Sequence, residues 1–306
     1  MARRNKFTSS GLGEKYSGKT LRVINPDGSF NVIKKGGKPH NIYQYLITTT
    51  WVQFFAIALV MFVLINLFFA TLIYAAGMEN IGGMPTVEKD FWNAFFFCVQ
   101  TTTTVGYGAL FPKGPVTNII ASLAAFVGLM HFAIFTGLLY GRFSRPSVNI
   151  RFSKKVAIVQ GPDHPELHFQ IANNKRNIIN HPSVMVILKL GEGESQRRHF
   201  YNLTLRINKI VFFPLNWRIV HEIDENSPLK GLTLEELKRR EAELMIHFEG
   251  FDEHYNQPVY TRFGYVSKDF TDSMKFTLAY SNTEQGHTLF DLDDIDKMEE
   301  VEKVKM

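Results

Sequence analysis

The chain has 306 residues, 45% of them hydrophobic, and a formal net charge of +5, which fits two domains of ordinary size. The basic excess comes without a zinc-finger, homeodomain or RNP signature, so we expect no nucleic acid partner. The single cysteine, Cys98, excludes an internal disulfide framework, and its phenylalanine neighbours predict a buried, inert thiol.

Residues 1–37 begin with Met-Ala-Arg-Arg-Asn-Lys and remain polar. They contain no short apolar core followed by a small-residue cleavage site, so we expect no signal peptide and predict a cytoplasmic N-terminal segment. In residues 38–50, the side chains of Ile42, Tyr45 and Leu46 fall on one helical face. This pattern predicts a short interfacial helix that lies along the inner membrane surface.

Two strongly apolar stretches follow, at 51–76 and 115–141. Since about 20 apolar residues cross a bilayer core as a helix, we predict two transmembrane helices within a pore domain of residues 51–143. Two buried core helices of a soluble protein are the alternative, which the length and the near absence of charge disfavour. Lysine and arginine flank both stretches, whereas the loop between them has only Lys89 and Lys113, which predicts that both termini are cytoplasmic.

The segment between the two predicted spans, residues 77–114, is too apolar for an ordinary loop. Asp90 can cap a helix at 91–102, whose body of ten residues from Phe91 to Gln100 covers roughly 15–18 Å, about half a membrane. Such a helix must be re-entrant. Irregular backbone at membrane depth is tolerated only where protein buries it or where it lines a wet cavity. The backbone after this half-helix is therefore predicted to line a pore.

That backbone reads Thr104-Val105-Gly106-Tyr107-Gly108. A potassium ion that sheds water needs a replacement shell of oxygens, which the carbonyls of residues 104–107 and the Thr104 hydroxyl can supply. Successive carbonyls point the same way only if alternate residues are left-handed, and Gly106 and Gly108 adopt that conformation at little cost. Thr-Val-Gly-Tyr-Gly is also the sequence by which potassium filters are known, so recognition supports this physical argument.

The filter prediction has consequences for assembly. One strand supplies only a quarter of each ring of oxygens, so four chains must surround one axis as a homotetramer. The half-helix directs its negative C-terminal end toward the cavity, which favours a cation there. A chance glycine-rich turn is the alternative, and Tyr107 argues against a nonselective channel with aspartate at this position. Potassium ions are the expected ligand, and we expect no organic cofactor.

Helical spacing places Gly128, Phe132, Thr136 and Tyr140 on one stripe of the second span. This stripe can line a pore, with Tyr140 closing it by dewetting, or it can pack against the first span. Gly128 can act as a hinge or permit close helix packing. His131 is an intramembrane ionisable group and thus a candidate functional residue, or else a neutral histidine bonded to a neighbouring helix.

Residues 144–306 have the character of a soluble domain. The runs 183–190 and 259–266 predict strands, and glycine and proline turn signals punctuate the sequence at the spacing of a β-sandwich. One helix is predicted to start near Thr233, and the charged residues 288–306 are expected to be mobile. There is no P-loop, GxSxG or HExxH motif, and His221 and Glu222 lack a third partner at useful spacing, so we expect no enzyme.

Residues from about 40 to 280 resemble the inward-rectifier potassium channels, and the bacterial branch (the KirBac family) most closely. The filter alone cannot separate potassium-channel families, but the whole set of segments is quite specific. They are Trp92–Gln100 before the filter, Leu139–Pro146 at the exit of the second span, and Ile171–Arg176, Leu215–Pro228 and Glu249–Glu253 in the soluble domain.

The resemblance implies an immunoglobulin-like cytoplasmic β-sandwich that extends the pore, a plasma membrane location (the inner membrane of a bacterium), a helix-bundle crossing at Tyr140 and a pore-facing residue at Phe132. Because Phe132 is not acidic, strong rectification through a carboxylate is not expected. Glu249 matches an acidic ring in the cytoplasmic vestibule. Arg145, Lys154 and Lys155 lie where the family meets phosphoinositides or other anionic lipids, although they also fit ordinary positive-inside charge.

Three departures from the family pattern matter. Gln100 and Leu110 stand where many members carry a glutamate–arginine pair behind the filter, so we predict that packing and the chain's own threonines hold this filter. Asn41 replaces the usual aspartate of the interfacial helix, and residues 271–273 lack the family's Trp-Gly.

Two other functions compete with lipid-modulated conduction. The soluble domain can sense a different ligand, although its β-rich pattern disfavours a Rossmann-type sensor. Alternatively, the chain is a membrane-anchored binding protein, but a simple anchor has no use for a filter.

Overall fold

Two structural units make up the chain in a computed structural model that describes residues 11, 22–33, 35–36, 41–83, 90–145, 148–175, 177–192 and 197–304. A helical unit comprises Gly36–Arg145, and a β unit comprises Met1–Lys35 with Pro146–Met306. Most of the predicted N-terminal segment, residues 38–40 and Lys89 lie outside the described residues.

The described part of the helical unit contains four α-helices and one pair of two-residue strands. They are α1 (Ile42–Thr48), α2 (Trp51–Ala75), β1 (Ile81–Gly82), α3 (Phe91–Thr102), β2 (Phe111–Pro112) and α4 (Gly114–Phe143). Helices α2 and α4 are long and apolar enough to span a membrane and lie within one or two residues of the predicted spans. Helix α3 occupies the predicted half-helix, although the Asp90 side chain at its N-cap position makes no capping hydrogen bond.

Helix α3 is held between α2 and α4 by a compact apolar cluster. Small residues such as Ala94, Cys98 and Ala124 are completely or almost completely buried there, so the three helices approach closely. Strands β1 and β2 pair antiparallel, and the Lys113 amide donates to the Asn80 carbonyl at 2.7 Å. This strand pair thereby connects the segment after α2 to the segment that leads into α4.

The β unit is a sandwich with one short helix. Its main elements are β3 (Ile150–Phe152), β4 (Val156–Gln160), β5 (Pro165–Asn173), β6 (Ile179–Gly191), β7 (Arg198–Leu203), β8 (Asn216–Glu222), α5 (Leu234–Arg239), β9 (Glu243–Asp252), β10 (Gln257–Val266) and β11 (Phe270–Thr271). One sheet has the order β10-β9-β6-β7, and the other β11-β4-β5-β3 with β8 paired to β5. Both sheets contribute fully buried side chains to one core, including Phe169, Ile171, Leu188 and Phe248.

Local sequence explains several elements of this unit. The predicted strands at 183–190 and 259–266 lie inside β6 and β10. Helix α5 begins after Thr233, whose side chain accepts from the Glu236 amide while the Glu236 carboxylate accepts from the Thr233 amide. This reciprocal capping box stabilises a helix of only six residues. The predicted fold class, a helical membrane unit followed by an all-β sandwich, is thus confirmed.

The expectation that residues 288–306 are mobile is wrong for the described part, residues 288–304. Strands β12 (Met274–Phe276), β13 (Tyr280–Asn282), β14 (Thr288–Phe290) and β15 (Met298–Glu300) form two small antiparallel pairs. Ile295 is fully buried, and the Arg151 guanidinium bonds Asp293 at 2.8 Å and Asp296 at 3.2 Å. The charged segment is therefore ordered by ion pairs and by one buried apolar side chain. A sequence of charged residues does not reveal this, because the ion-pair partner lies far away in the chain.

Candidate functional site

The predicted filter follows the last turn of α3 as irregular backbone with alternating handedness. The φ angles of Thr104, Gly106 and Gly108 are +60°, +50° and +78°. The amides of Val105 and Gly106 both donate to the carbonyl of Gln100, at 3.0 and 3.2 Å. Sequence reasoning expected positive φ at the glycines but missed Thr104, because a non-glycine residue rarely adopts this conformation. Alternation of this kind is what the prediction of carbonyls turned to one side requires.

One side of the filter is uncovered within a single chain. The side chain of Tyr107 is 77% exposed and that of Val105 is 51% exposed. A Cβ atom built on Gly106 or Gly108 meets no atom within 4 Å. Glycine is therefore needed at these two positions for the positive φ angle and not for lack of space. This segment is therefore largely exposed within a single chain.

Below the filter, Thr102 is contacted from both long helices. Its hydroxyl donates to the Asn66 side-chain oxygen in α2 at 2.8 Å. From α4, a Cβ atom on Gly128 would lie 2.3 Å from the Thr102 carbonyl oxygen, so this glycine permits close backbone contact. Helix α4 runs from Gly114 to Phe143 without interruption, and the hinge role of Gly128 stays a prediction. A lone asparagine in an apolar span was the available sequence signal for this contact.

The predicted filter has no charged pair at Gln100 and Leu110. Leu110 packs against the apolar cluster that holds α3, as the prediction of a packing-braced filter requires. The hydroxyls of Thr101 and Thr103 donate to carbonyls of α3 itself, Phe97 at 2.8 Å and Val99 at 2.6 Å. Of the threonines in this run, Thr102 is the one that the structure shows bonded to another helix.

The stripe on α4 divides into a packed end and an open end. Gly128 is buried, whereas Phe132 is 67% exposed and Tyr140 is 74% exposed, with Thr136 also exposed. Within a single chain, these three side chains are not buried against the first span, and their pore-lining role stays a prediction. Thr104 and Phe132 line a cavity of about 590 Å³, which lies next to the inner end of the filter.

His131 lines the same cavity and is half-buried. Its ring centroid lies 6.4 Å from that of Phe62 in α2. Within the described part of the chain, His131 has no hydrogen bond, so the expected bond to a neighbouring helix is not present in the single chain.

An arginine connects the C-terminal end of α4 to the interfacial helix, a contact that sequence reasoning missed. The Arg142 guanidinium donates to the carbonyls of Leu46 at 2.6 Å and Thr49 at 2.7 Å. It also lies over the rings of Trp51 and Phe54, 4.5 and 4.7 Å from their centroids. A cation thereby caps carbonyls that the end of α1 leaves unpaired, two residues beyond Tyr140.

The three predicted lipid contacts are exposed but already have partners in the chain. Arg145 donates to the Ile47 carbonyl at 3.3 Å in the helical unit. In the β unit, the Lys154 ammonium lies 3.4 Å from Asp296 and that of Lys155 donates to the Lys268 carbonyl at 3.0 Å. Exposed contacts of this kind are weak and leave all three charges open to an anion.

Glu249 lies on β9, at the surface of the sandwich. Its carboxylate accepts from the Ser183 hydroxyl at 2.8 Å, and it lines a polar cavity of about 310 Å³ that also includes His247 and Asn202. The geometry gives an exposed acidic group with one neutral partner. This arrangement is suited to attracting cations.

His221 makes two hydrogen bonds that spacing did not predict, neither of them with Glu222. Its Nδ1 donates to the Thr204 carbonyl at 2.8 Å, which leaves Nε2 to accept from the Ser227 hydroxyl at 2.8 Å. Burial lowers the pKa of His221, so the ring is neutral. Ser227 is itself buried and accepts from the Leu229 amide at 3.2 Å. The hydrogen bond between His221 and Ser227 therefore stabilises the turn after β8, which is a structural role.

Two family models match the amino-acid sequence of the chain. The model described as "Inward rectifier potassium channel C-terminal domain" matches residues 150–306, and the model described as "Ion channel" matches residues 59–145. Among the described residues, no group of three His, Cys, Asp or Glu side chains is placed to hold a metal ion.

Three relatives support the same assignment. The inward rectifier potassium channel Kirbac3.1 of Paramagnetospirillum magnetotacticum is 31% identical over 287 residues, which cover 92% of this chain and 96% of that protein. Inward rectifier potassium channel 4 of Rattus norvegicus is 27% identical over 63% of this chain and 48% of its own length. The human ATP-sensitive inward rectifier potassium channel 10 is 27% identical over 68% of this chain and 58% of its own length.

Proposed function

Because the chain belongs to the inward rectifier potassium channel family, we propose that it forms a homotetrameric, passive, potassium-selective pore whose filter is residues 104–108. The observation that carries this proposal is the backbone alternation at Thr104, Gly106 and Gly108 immediately after a half-membrane helix. Potassium coordination by rings of carbonyls needs such a strand. The relatives are ion channels, so the family is not one of enzymes.

Four-fold assembly is supported by what one chain leaves uncovered. Val105 and Tyr107 are largely exposed at a depth where lipid-exposed irregular backbone is not tolerated. Four copies around one axis close the strand into rings of oxygens and cover these side chains. The resident ions are then potassium at Thr104, Val105, Gly106 and Tyr107, and no organic cofactor takes part.

We place the gate at the cytoplasmic end of α4. The rings of Phe132 and Tyr140 are largely exposed within one chain, so in a tetramer they can meet near the axis. Four Tyr140 rings narrow the pore enough to exclude water. Residue 132 is a phenylalanine and carries no carboxylate, so it does not produce rectification through a charge. Glu249 instead concentrates cations in the cytoplasmic vestibule.

Modulation by anionic lipid is the further part of the proposal. Arg145, Lys154 and Lys155 are exposed. The distribution of lysine and arginine supports an orientation in which both termini and these residues lie on the cytoplasmic face of the plasma membrane. A phosphoinositide or another anionic lipid is the proposed ligand. Flux into vesicles with and without phosphoinositide, at equal total anionic charge, tests its specific role.

Ion flux into liposomes tests the central proposal. Purified protein is expected to pass rubidium or potassium far better than sodium, and equal sodium flux would contradict the filter assignment. Gly106→Ala is expected to abolish flux while the tetramer persists, because alanine is strained at φ +50° although no atom blocks its Cβ. Tyr140→Ala is expected to raise resting flux, and unchanged flux would remove this residue from the gate.

A further inference from the structure

Asn66 is the buried polar side chain at the centre of the helical unit. It lies deep within α2 with 0% exposure. Its side-chain nitrogen donates to the Phe62 carbonyl at 2.8 Å, and its side-chain oxygen accepts from the Thr102 hydroxyl at 2.8 Å. Both ends of the amide are thus used, as the apolar surroundings require. A leucine would fill the same space without needing any partner.

The partner of Asn66 stands two residues before the filter. The Thr102 hydroxyl carries one proton, and its contact with Asn66 is shorter than the 3.2 Å to the Val99 carbonyl of its own helix. Gly128 packs on the Thr102 backbone from the opposite span. The last residue of α3 is therefore fixed from both transmembrane helices.

Thr104 explains why this position needs to be fixed. Its φ of +60° is a strained conformation for a threonine, and such residues persist only where the surrounding structure enforces them. If Thr102 were free to move, Thr104 would relax toward negative φ. Its carbonyl would then turn away from the line of the other filter carbonyls.

We infer that Asn66 is a positioning residue for the filter, which acts through Thr102 to hold the Thr104 carbonyl and hydroxyl in the innermost cation site. This inference rests on the proposed filter assignment. It predicts that loss of the Asn66–Thr102 bond changes how cations bind at the inner end of the pore, beyond any change in helix packing.

The experiment compares variants of the full-length protein in liposomes. Asn66→Leu removes the acceptor and Thr102→Val removes the donor at nearly constant volume, while Thr102→Ser keeps the hydroxyl. Thr71→Val is the matched control, because its exposed hydroxyl donates only to Leu67 of α2, at 2.8 Å. The readouts are the rubidium-to-sodium uptake ratio and the block of rubidium uptake by Ba²⁺. This divalent ion has a radius similar to that of K⁺, so it fits the same sites and its double charge makes its binding sensitive to the position of the Thr104 oxygens.

For Asn66→Leu and Thr102→Val, the half-blocking Ba²⁺ concentration is expected to rise about fivefold, the factor that corresponds to about 1 kcal/mol for one hydrogen bond. The rubidium-to-sodium ratio is expected to fall in both. Thr102→Ser keeps the bond to Asn66 and Thr71→Val changes an exposed side chain. Both are expected to stay within about twofold of the wild type, because exposed substitutions usually change free energies by no more than about 0.5 kcal/mol. The double variant Asn66→Leu/Thr102→Val is expected to resemble either single variant, since both remove the same bond.

Unchanged block and selectivity in Asn66→Leu would overturn the inference and leave Asn66 a packing residue. Additive effects in the double variant would also overturn it. If Asn66→Leu does not assemble, Thr102→Val against Thr102→Ser decides the question alone. A wild-type protein that passes sodium as readily as rubidium would instead contradict the filter assignment, so the two failures are distinguishable.

Discussion

Replacing Gly128 by alanine tests whether this glycine is a packing residue or a hinge. The added Cβ would lie 2.3 Å from the carbonyl oxygen of Thr102 and 2.6 Å from its Cα. Real Cβ contacts essentially never fall below 3.0 Å, so α4 and α3 must separate by at least about 0.7 Å in a well-packed interior that resists such shifts. The contacted atoms are backbone, and no rotamer change relieves them.

The expected cost is that of overpacking, about 1–3 kcal/mol in each subunit. Gly137→Ala is the matched control, because a Cβ atom at Gly137 meets no atom within 4 Å. Alanine is otherwise the better helix former, by about 1 kcal/mol, so this control is expected to be neutral or stabilising. Both substitutions lie in α4, and the difference between them isolates the contact with Thr102.

Two measurements on protein in detergent and liposomes distinguish the possibilities. We expect Gly128→Ala to lower the temperature at which the assembled protein dissociates and to reduce rubidium uptake, while Gly137→Ala does neither. If Gly128→Ala assembles and melts like the control but responds differently to conditions that open the channel, the packing argument is refuted and the hinge prediction is supported.

Three further predictions address the rest of the molecule. Arg142→Lys removes the two-pronged contact with the end of α1, worth about 1–3 kcal/mol for charged hydrogen bonds, and is expected to speed hydrogen exchange in residues 42–50; unchanged exchange would contradict the capping role. Glu243 is 1% exposed, accepts from the amides of Val23 and Ile24, and pairs with buried Lys189 at 3.2 Å. Glu243→Gln is therefore expected to lower the free energy of unfolding by about 3–5 kcal/mol and to expose residues 22–33 to protease. A wild-type cleavage pattern would refute this. Burial lowers the pKa of His221 in the folded protein, so the unfolded chain binds a proton at this residue more readily than the folded protein does. The stability that the neutral ring contributes is complete above the ordinary histidine pKa of about 6.5. It is lost as the pH falls below that value. Exchange in residues 216–232, corrected for intrinsic rates, is expected to rise between pH 7.5 and 5.5, and a flat profile would contradict the neutral-ring assignment.

Features that depend on local pattern and chain length can be predicted from the amino-acid sequence alone. Apolar stretches of membrane-crossing length specify α2 and α4 whatever their partners are, because lipid requires every backbone group to be bonded within the helix. The half-helix and the glycines at 106 and 108 follow from chain length and allowed dihedrals. The capping box at Thr233 likewise involves residues three apart, so no distant contact was needed to predict α5.

Features that depend on residues far apart in the chain became visible only in the folded structure. Asn66 and Thr102 are 36 positions apart, and Arg142 contacts carbonyls more than 90 positions earlier; no periodicity connects such pairs. The segment 288–304 is ordered because Arg151 lies against its aspartates, which a charge run alone cannot reveal. Positive φ at Thr104 is likewise imposed by its surroundings, because threonine alone disfavours that conformation.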